Sequence, residues 1–358
     1  MLLRGIEPGR IVNRNPNYTH FHFEPHFYPL FTAVFPLFYI VPSCAIIFRI
    51  CRVYVEKGLR KRTRPSIDTC FSSSFSRRPH RVQKVGHFQC VCFFLSDFVT
   101  IRLPATGLMT AWCQEQEPNK YLLLVFYSQI YFNYPVMIYP VLLTVVRLVP
   151  VHYPNVHSKI NSKILRYSIP LTYFYPLVFS FFMLPARGVC RQHQPPYEFG
   201  AVYLHFIDSW NGASSEEHPS IDLNLHKFQM INAPFQFSNC LFWLSVCLVA
   251  NFLLYRKLRI LARCSLLGIR SARYQKAEFS LNVTNSAMLL AYLTNIVFLL
   301  SFLIDIRVAT YAVVFRPFGN DLKTCVVPWV FYTTHPAFRR KTNMNSEALY
   351  RQKTLINL

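Results

Sequence analysis

The chain has 358 residues, of which 52% are apolar, 16% aromatic and 15% charged, and its formal net charge is +22. That mix excludes an ordinary water-soluble domain, and several separate apolar runs point to a polytopic membrane protein. A positive excess alone would fit nucleic acid, but basic cytosolic loops are what orient a helical membrane protein, so a lipid bilayer and no nucleic acid is the expected setting.

The opening MLLRGIEPGR is too short and polar for a signal core, so the first span is expected to act as its own insertion signal. Residues 1–27 read as an extracellular amino terminus. The sequon Asn17-Tyr18-Thr19 makes Asn17 the expected glycosylation site. His20, His22, Glu24 and His26 follow in a loose aromatic segment, read as juxtamembrane chain rather than a metal site.

Spans are expected at about 28–48, 87–109, 121–146, 167–184, 235–254, 283–304 and 310–335. The third, YLLLVFYSQIYFNYPVMIYPVLLTVVR, carries no formal charge before Arg147. Ser128, Gln129, Asn133, Pro135 and Pro140 interrupt it, and such residues survive in lipid only beside neighbouring helices, so it reads as an inner helix. Between spans one and two, residues 49–86 form an atypical basic inner loop, rich in arginine and serine. Span two holds Asp97, Arg102 and Pro104, and ionisable residues at that depth should face protein or water. From Arg187 to about Ala233 runs the largest outer loop, polar and acidic; span seven contains Arg316, Asp321 and Lys323, and residues 339–358 form a basic cytoplasmic tail.

With the amino terminus outside, about 27 of the 38 Lys and Arg fall on the cytosolic side and about 8 outside. The expected fold is an all-α membrane protein, a seven-transmembrane-helix bundle with residues 28–338 as the receptor domain, carboxyl terminus inside, in the plasma membrane. The second sequon, Asn282-Val283-Thr284, falls on the inner face and should stay unmodified.

Further motifs narrow this outline. NPNYTHFHFE before span one, SDFVTIRLPATGLMTAWC around span two, YFNYPVMIYPVLLTVVRLVPVHYP in span three, LPARGVCRQHQPPYEFG after span four and FRPFGNDLKTCVVPWVFYTTHPAF in span seven together resemble the nematode serpentine receptors of class U, within the class G superfamily of chemoreceptors. The resemblance covers about Asn13 to Phe338, with motifs in the family's order. It implies a G-protein-coupled chemoreceptor of chemosensory neurons, with a small-molecule ligand and a heterotrimeric G protein as partners. The chain departs from the family in residues 58–86, where the apolar approach to Cys90 is replaced by basic and serine-rich sequence; the alternative this raises is a non-functional copy, or a gene model that keeps an unspliced or wrongly drawn exon and so damages the second span.

Under this topology Cys113 and Cys190 are the two cysteines expected outside, and a disulfide between them would pin the outer loop over the bundle mouth; two free thiols are the alternative. Cys240 and Cys247 read as small packing residues. Asp97, Arg102, Arg316 and Asp321 form an intramembrane charged set, either paired between spans two and seven or lying in headgroups and water. Pocket candidates by position are Tyr127, Phe132, Asn133, Asn239, Trp243, Tyr292 and Asn295, each equally compatible with plain packing. Arg147, flanked by Val146 and Leu148 without an acidic neighbour, and Arg256, Lys257 and Arg259 are candidates for G-protein contact or lipid anchoring.

Other function classes fit less well. The pairs His22-x-x-x-His26 and His152-x-x-x-x-His157 have the look of histidine boxes but fall on opposite faces, so no metal, cofactor or enzymatic activity is expected. A polytopic transporter would usually show an inverted repeat with paired broken helices, and none is visible in the sequence.

Overall fold

The computed structural model describes residues 10–23, 27–63, 79–193, 197–207, 221–264, 268–304 and 306–334. Among the described residues it is a bundle of seven long helices: α1 (Phe27–Thr63), α2 (Pro79–Asp97), α3 (Lys120–His152), α4 (His157–Ser180), α5 (Ile221–Cys264), α6 (Gly268–Ile304) and α7 (Ile306–Thr334). A π-turn, Phe98–Arg102, and a short helical stretch, Leu103–Ala105, carry α2 onward. Five stretches among the described residues are long and apolar enough to cross a bilayer: Pro29–Val53, Val85–Ala105, Lys120–His152, Gln236–Lys257 and Val283–Ser301. Helices α4 and α7 complete the bundle but carry Lys159, Lys163 and Arg166, and Arg316, Asp321 and Lys323, respectively.

Helix α3 is the hub. It packs on α2, α4, α5 and both strands of a hairpin, and 67% of its most apolar window is buried, against 22% for α1 and 28% for α5. Peripheral helices instead turn bulky apolar side chains outward, such as Phe38 and Phe48 on α1, Phe174 on α4 and Phe252 on α5, as a lipid-facing surface requires.

A proline inside a helix leaves the carbonyl four residues earlier without its donor, and at one proline of α3 a neighbouring helix supplies it. Pro150 has no N–H to offer the Val146 carbonyl, and Asn161 Nδ2 of α4 donates to that carbonyl at 3.3 Å. Near Pro140 the Met137 carbonyl, which is not the one this proline frees, accepts a further bond from the Tyr292 hydroxyl of α6. Near Pro176 the Tyr173 carbonyl likewise accepts a further bond from the Tyr131 hydroxyl of α3 at 2.9 Å.

Strands β1 (Arg187–Gln192) and β2 (Val202–Ile207) form an antiparallel hairpin, with Cys190 opposite Leu204. The amino-terminal segment lies along its edge: Val12 N donates to Cys190 O at 2.9 Å, and Gln192 N donates to Arg10 O at 3.0 Å. Asn13 binds both sides, its Oδ1 accepting from Cys190 N at 2.7 Å and its Nδ2 donating to Gln116 O at 3.0 Å. Val12, Tyr18, Leu122, Met183, Val202, Leu204 and Phe206 close a small core beneath it.

Several boundaries differ from the sequence reading. Residues 49–86 are read as a loop, yet α1 runs to Thr63 and α2 starts at Pro79, because Lys, Arg, Glu and Leu favour helix; residues 64–78 lie outside those described. The outer stretch 187–233 holds the hairpin and the first turns of α5. Span two ends at Ala105 rather than Met109, since Gly107 has a φ of 86° that a helix cannot use. Span four begins at His157, and its last turn, Phe181–Met183, tightens to a 3-10 helix. The tail 339–358 lies outside the described residues.

The closest backbone approach of the hairpin to α3 is at Gly188. Gly188 exchanges hydrogen bonds with Asn119 at 2.8 and 3.1 Å, and a Cβ at Gly188 would fall 2.1 Å from Leu123 N and 2.3 Å from Leu122 C. Backbone cannot swing aside as a side chain can. Gly188→Ala should therefore cost about 1–3 kcal/mol by overpacking, read as a lower unfolding midpoint of the purified chain in detergent; an unchanged midpoint would mean that the strand can back away.

Candidate functional site

The parallel course of α1 and α7 sets the frame. Phe35 meets Phe318, Tyr39 meets Asp321, Ser43 accepts from Trp329 Nε1 at 3.1 Å, and Arg49 lies 5.5 Å over the Tyr332 ring. Both helices thus run away from the hairpin, and α7 enters the bundle at the hairpin end.

Between them sits a buried charged network. Arg102 donates from Nη1 and Nη2 to the two oxygens of Asp321 at 2.7 and 2.8 Å, and from Nε to Asp97 Oδ2 at 3.0 Å. Tyr39 of α1 also donates to Asp321, and Gln129 Nε2 of α3 donates to Asp97 Oδ1 at 3.0 Å. The Arg102 guanidinium further lies 4.9 Å over the Phe94 ring. Asp97, Arg102 and Asp321 are only 2–3% exposed, so these charges sit inside protein rather than in headgroups. Four helices are tied together by one guanidinium.

The π-turn makes this possible. In a regular α-helix, residues five apart are rotated by about 140° from each other, and Arg102 would point away from Asp97. The π-turn, closed by Leu103 N donating to Phe98 O, brings the i and i+5 side chains to one face.

Arg316 does not join these carboxylates. Its Nε donates to Asn295 Oδ1 at 3.1 Å, its guanidinium stacks 4.8 Å from the Phe298 ring, and Asn295 Nδ2 donates to Asn320 Oδ1 at 3.0 Å.

The seven pocket candidates fall into separate groups. Asn295 belongs with Arg316 and Asn320. Asn239 and Trp243 meet at Tyr175 of α4, whose hydroxyl donates to Asn239 Oδ1 and accepts from Trp243 Nε1 at 3.3 Å. Tyr127 accepts from Ser180 at 3.0 Å, Tyr292 holds the Met137 carbonyl, Phe132 packs beside the Tyr139 cluster, and Asn133 is buried. None of them lines the small cavity of about 10 Å³, roughly one water in size, between α2, α3 and α4, which is walled by Val85, Gly86, Gln89, Tyr139, Leu142, Ile169 and Thr172. Gln89 Nε2 and the Tyr139 hydroxyl have no hydrogen-bond partner there.

At the hairpin end Cys113 and Cys190 are bonded, with Cα atoms 5.9 Å apart. Asn17 is exposed. At the opposite end Arg256 and Arg259 are exposed, Lys257 and Arg147 are half-buried, and Arg259 lies 5.2 Å over the Tyr255 ring. Among the described residues no three His, Cys, Asp or Glu side chains converge as metal ligands. His22 lies at the hairpin end, while His152 and His157 flank the α3–α4 turn at the other end; Glu24 and His26 lie outside the described residues.

Sequence reasoning missed Tyr39, Gln129 and Asn320 as network members. Gln129 alone carried a signal, being a polar interruption of an apolar span. It also missed a pair of buried histidines in the hairpin. His193 stacks between Tyr197 and Tyr203, at 4.3 and 4.6 Å, and His205 Nδ1 lies 2.9 Å from the Phe206 carbonyl, which can only accept, so Nδ1 carries the proton.

A bundle of apolar helices hung on a buried ion network and closed at one end by a disulfide-stapled hairpin is the architecture of a seven-helix membrane receptor. The family profile of the serpentine type 7TM GPCR chemoreceptor Sru matches residues 12–341, and the chain belongs to that family. It is also 32% identical over 294 residues to "Serpentine receptor class U-26" of Caenorhabditis elegans, a match spanning 81% of this chain and 90% of that relative. A chemosensory receptor role follows from the membership.

Two predictions come from this geometry. Arg102→Leu and Asp321→Leu should each cost about 3–5 kcal/mol, because each strands a buried charge. The double variant should lose clearly less than their sum; additive losses in a thermal-unfolding cycle would count against pairing. Burial lowers His193 to about 3, and burial with the Arg191 charge lowers His205 to about 3 against the opposing Phe206 hydrogen bond. Between 6.5, their ordinary value, and about 3 the unfolded chain therefore binds more protons than the folded one, so stability is full above 6.5 and falls as the pH drops through that window. The slope should approach about 1.4 kcal/mol per pH unit for each histidine, and His193→Gln with His205→Gln should flatten the pH dependence of the unfolding midpoint.

Proposed function

We propose that this chain is a plasma-membrane, G-protein-coupled chemosensory receptor that binds a small molecule from the hairpin side and signals to a heterotrimeric G protein at the opposite end. The observation that carries the reading is the segregation of the two ends. One carries the Cys113–Cys190 disulfide and the docked hairpin; the other carries Arg49, Arg147, Arg256, Lys257 and Arg259. A stable disulfide belongs to an oxidising compartment and clustered basic residues to the cytosol, so two independent rules give the same orientation. The amino terminus is then outside with Asn17 open to glycosylation, and the tail 339–358 is inside.

Binding acts by population shift. A ligand held better by an arrangement in which the inner ends of α5 and α6 have moved drives the bundle toward it, and its differential affinity sets the extent. Arg256, Lys257 and Arg259, on the cytosolic extension of α5, are then the surface presented to the G protein.

The test is expression of the full chain in cultured cells. A tag after Leu358 should stain only permeabilised cells and one before Met1 intact cells; the reverse pattern sinks the orientation. Cys113→Ser should lower surface level and cost about 2–4 kcal/mol, since the bond closes a long loop. A small-molecule screen should yield calcium responses lost on G-protein depletion, and responses that persist without any G protein would point to a conducting or transporting protein instead.

A further inference from the structure

Arg316 is the one intramembrane cation of the expected charged set that the network leaves aside. Its Nε donates to Asn295 and its face rests on Phe298, yet among the described residues Nη1 and Nη2 meet neither a carboxylate nor any other acceptor. The groups around it are buried: Asn295 is 5% exposed, Asn320 3%, and Cys240 of α5, within its electrostatic reach, 0%. Arg316 itself is only half-buried. Asn295 and Phe298, both on α6, hold it against the α6 side of the bundle. It stands ten residues into α7, about 15 Å from the hairpin end of that helix at 1.5 Å per residue, between that end and Asp321.

A guanidinium in a membrane span is costly without a partner, and arginines there pair with anions or line a path for them. Its planar fork matches a carboxylate through two parallel hydrogen bonds. Here Nε is already engaged, so the fork is aimed by Asn295 with both terminal amino groups still open. We propose that Arg316 is the anchor of the ligand site and that the ligand is a small carboxylic acid bound as its anion, its carboxylate on Nη1 and Nη2. The apolar part of such a ligand has an aromatic neighbour in Phe298. This inference rests on the receptor reading for its biological sense, but carboxylate binding is measurable without any signalling.

The rival role for Arg316 is charge balance. Two carboxylates face Arg102, leaving one negative charge in excess, and Asp97 lies within electrostatic reach of Arg316 without contact. The two roles separate experimentally. Purified full chain is titrated with octanoate and benzoate, and with octanamide and benzamide as matched neutral probes, while the unfolding midpoint is followed. The carboxylates should raise the midpoint saturably and the amides should not. Arg316→Gln should weaken the carboxylate effect about tenfold or more, and Arg316→Lys should retain part of it. Equal shifts by acids and amides, no shift by either, or a carboxylate shift that survives Arg316→Gln would overturn the proposal. Should Arg316→Gln not fold, Arg316→Gln with Asp97→Asn is tested in its place: a folded double variant that still responds to carboxylates overturns the anchor role, and one that has lost the response supports it. Loss of G-protein signalling with the carboxylate shift intact would sink the receptor reading alone.

Discussion

Arg102 is the constraint on which the bundle depends. Its guanidinium takes up both oxygens of Asp321 and one of Asp97, and through them reaches Tyr39 of α1 and Gln129 of α3. In lipid, apolar burial gives little preference for one helix neighbour over another, because the surrounding tails are as greasy as a leucine core. Polar contacts with fixed geometry supply the missing specificity. A fork that fits only one arrangement of two carboxylates selects a single register for α2 against α7, and the π-turn in α2 is the local distortion that this register demands.

The same logic governs the hub helix. Three prolines in α3 open its backbone, and Asn161 and Tyr292 reach from α4 and α6 to the carbonyls nearby. Pro150 thus becomes a place where a particular neighbour must stand. Polar residues elsewhere in the spans, such as Gln129, Asn239 and Asn295, tie helices through their side chains.

This explains what could be read in the sequence. Hydrocarbon thickness imposes long apolar runs, so the spans and their order are visible without a structure. The family resemblance rests on motifs that the fold keeps in separate elements: the amino-terminal segment, α2, α3, the hairpin and α7. The π-turn is invisible because no residue type marks it; only the five-residue spacing of Asp97 and Arg102, wrong for pairing on an α-helix, held a latent clue. Residues such as Tyr127, Asn239 and Tyr292 look like pocket residues in a sequence, and the structure engages each with a neighbouring helix. The hairpin hides in a stretch that composition marks as loop, since β1, RGVCRQ, has too little apolar alternation to announce itself.

The hairpin end also divides the bundle unequally. Lys120 Nζ donates to the carbonyls of Leu184, Pro185 and Ala186, Asn119 bridges to Gly188, and the disulfide joins Cys113 to Cys190. All three fasten the exit of α4 to the entrance of α3, and none reaches α6 or α7. Pulling the hairpin outward would therefore load α3 and α4 first, as one mechanical unit.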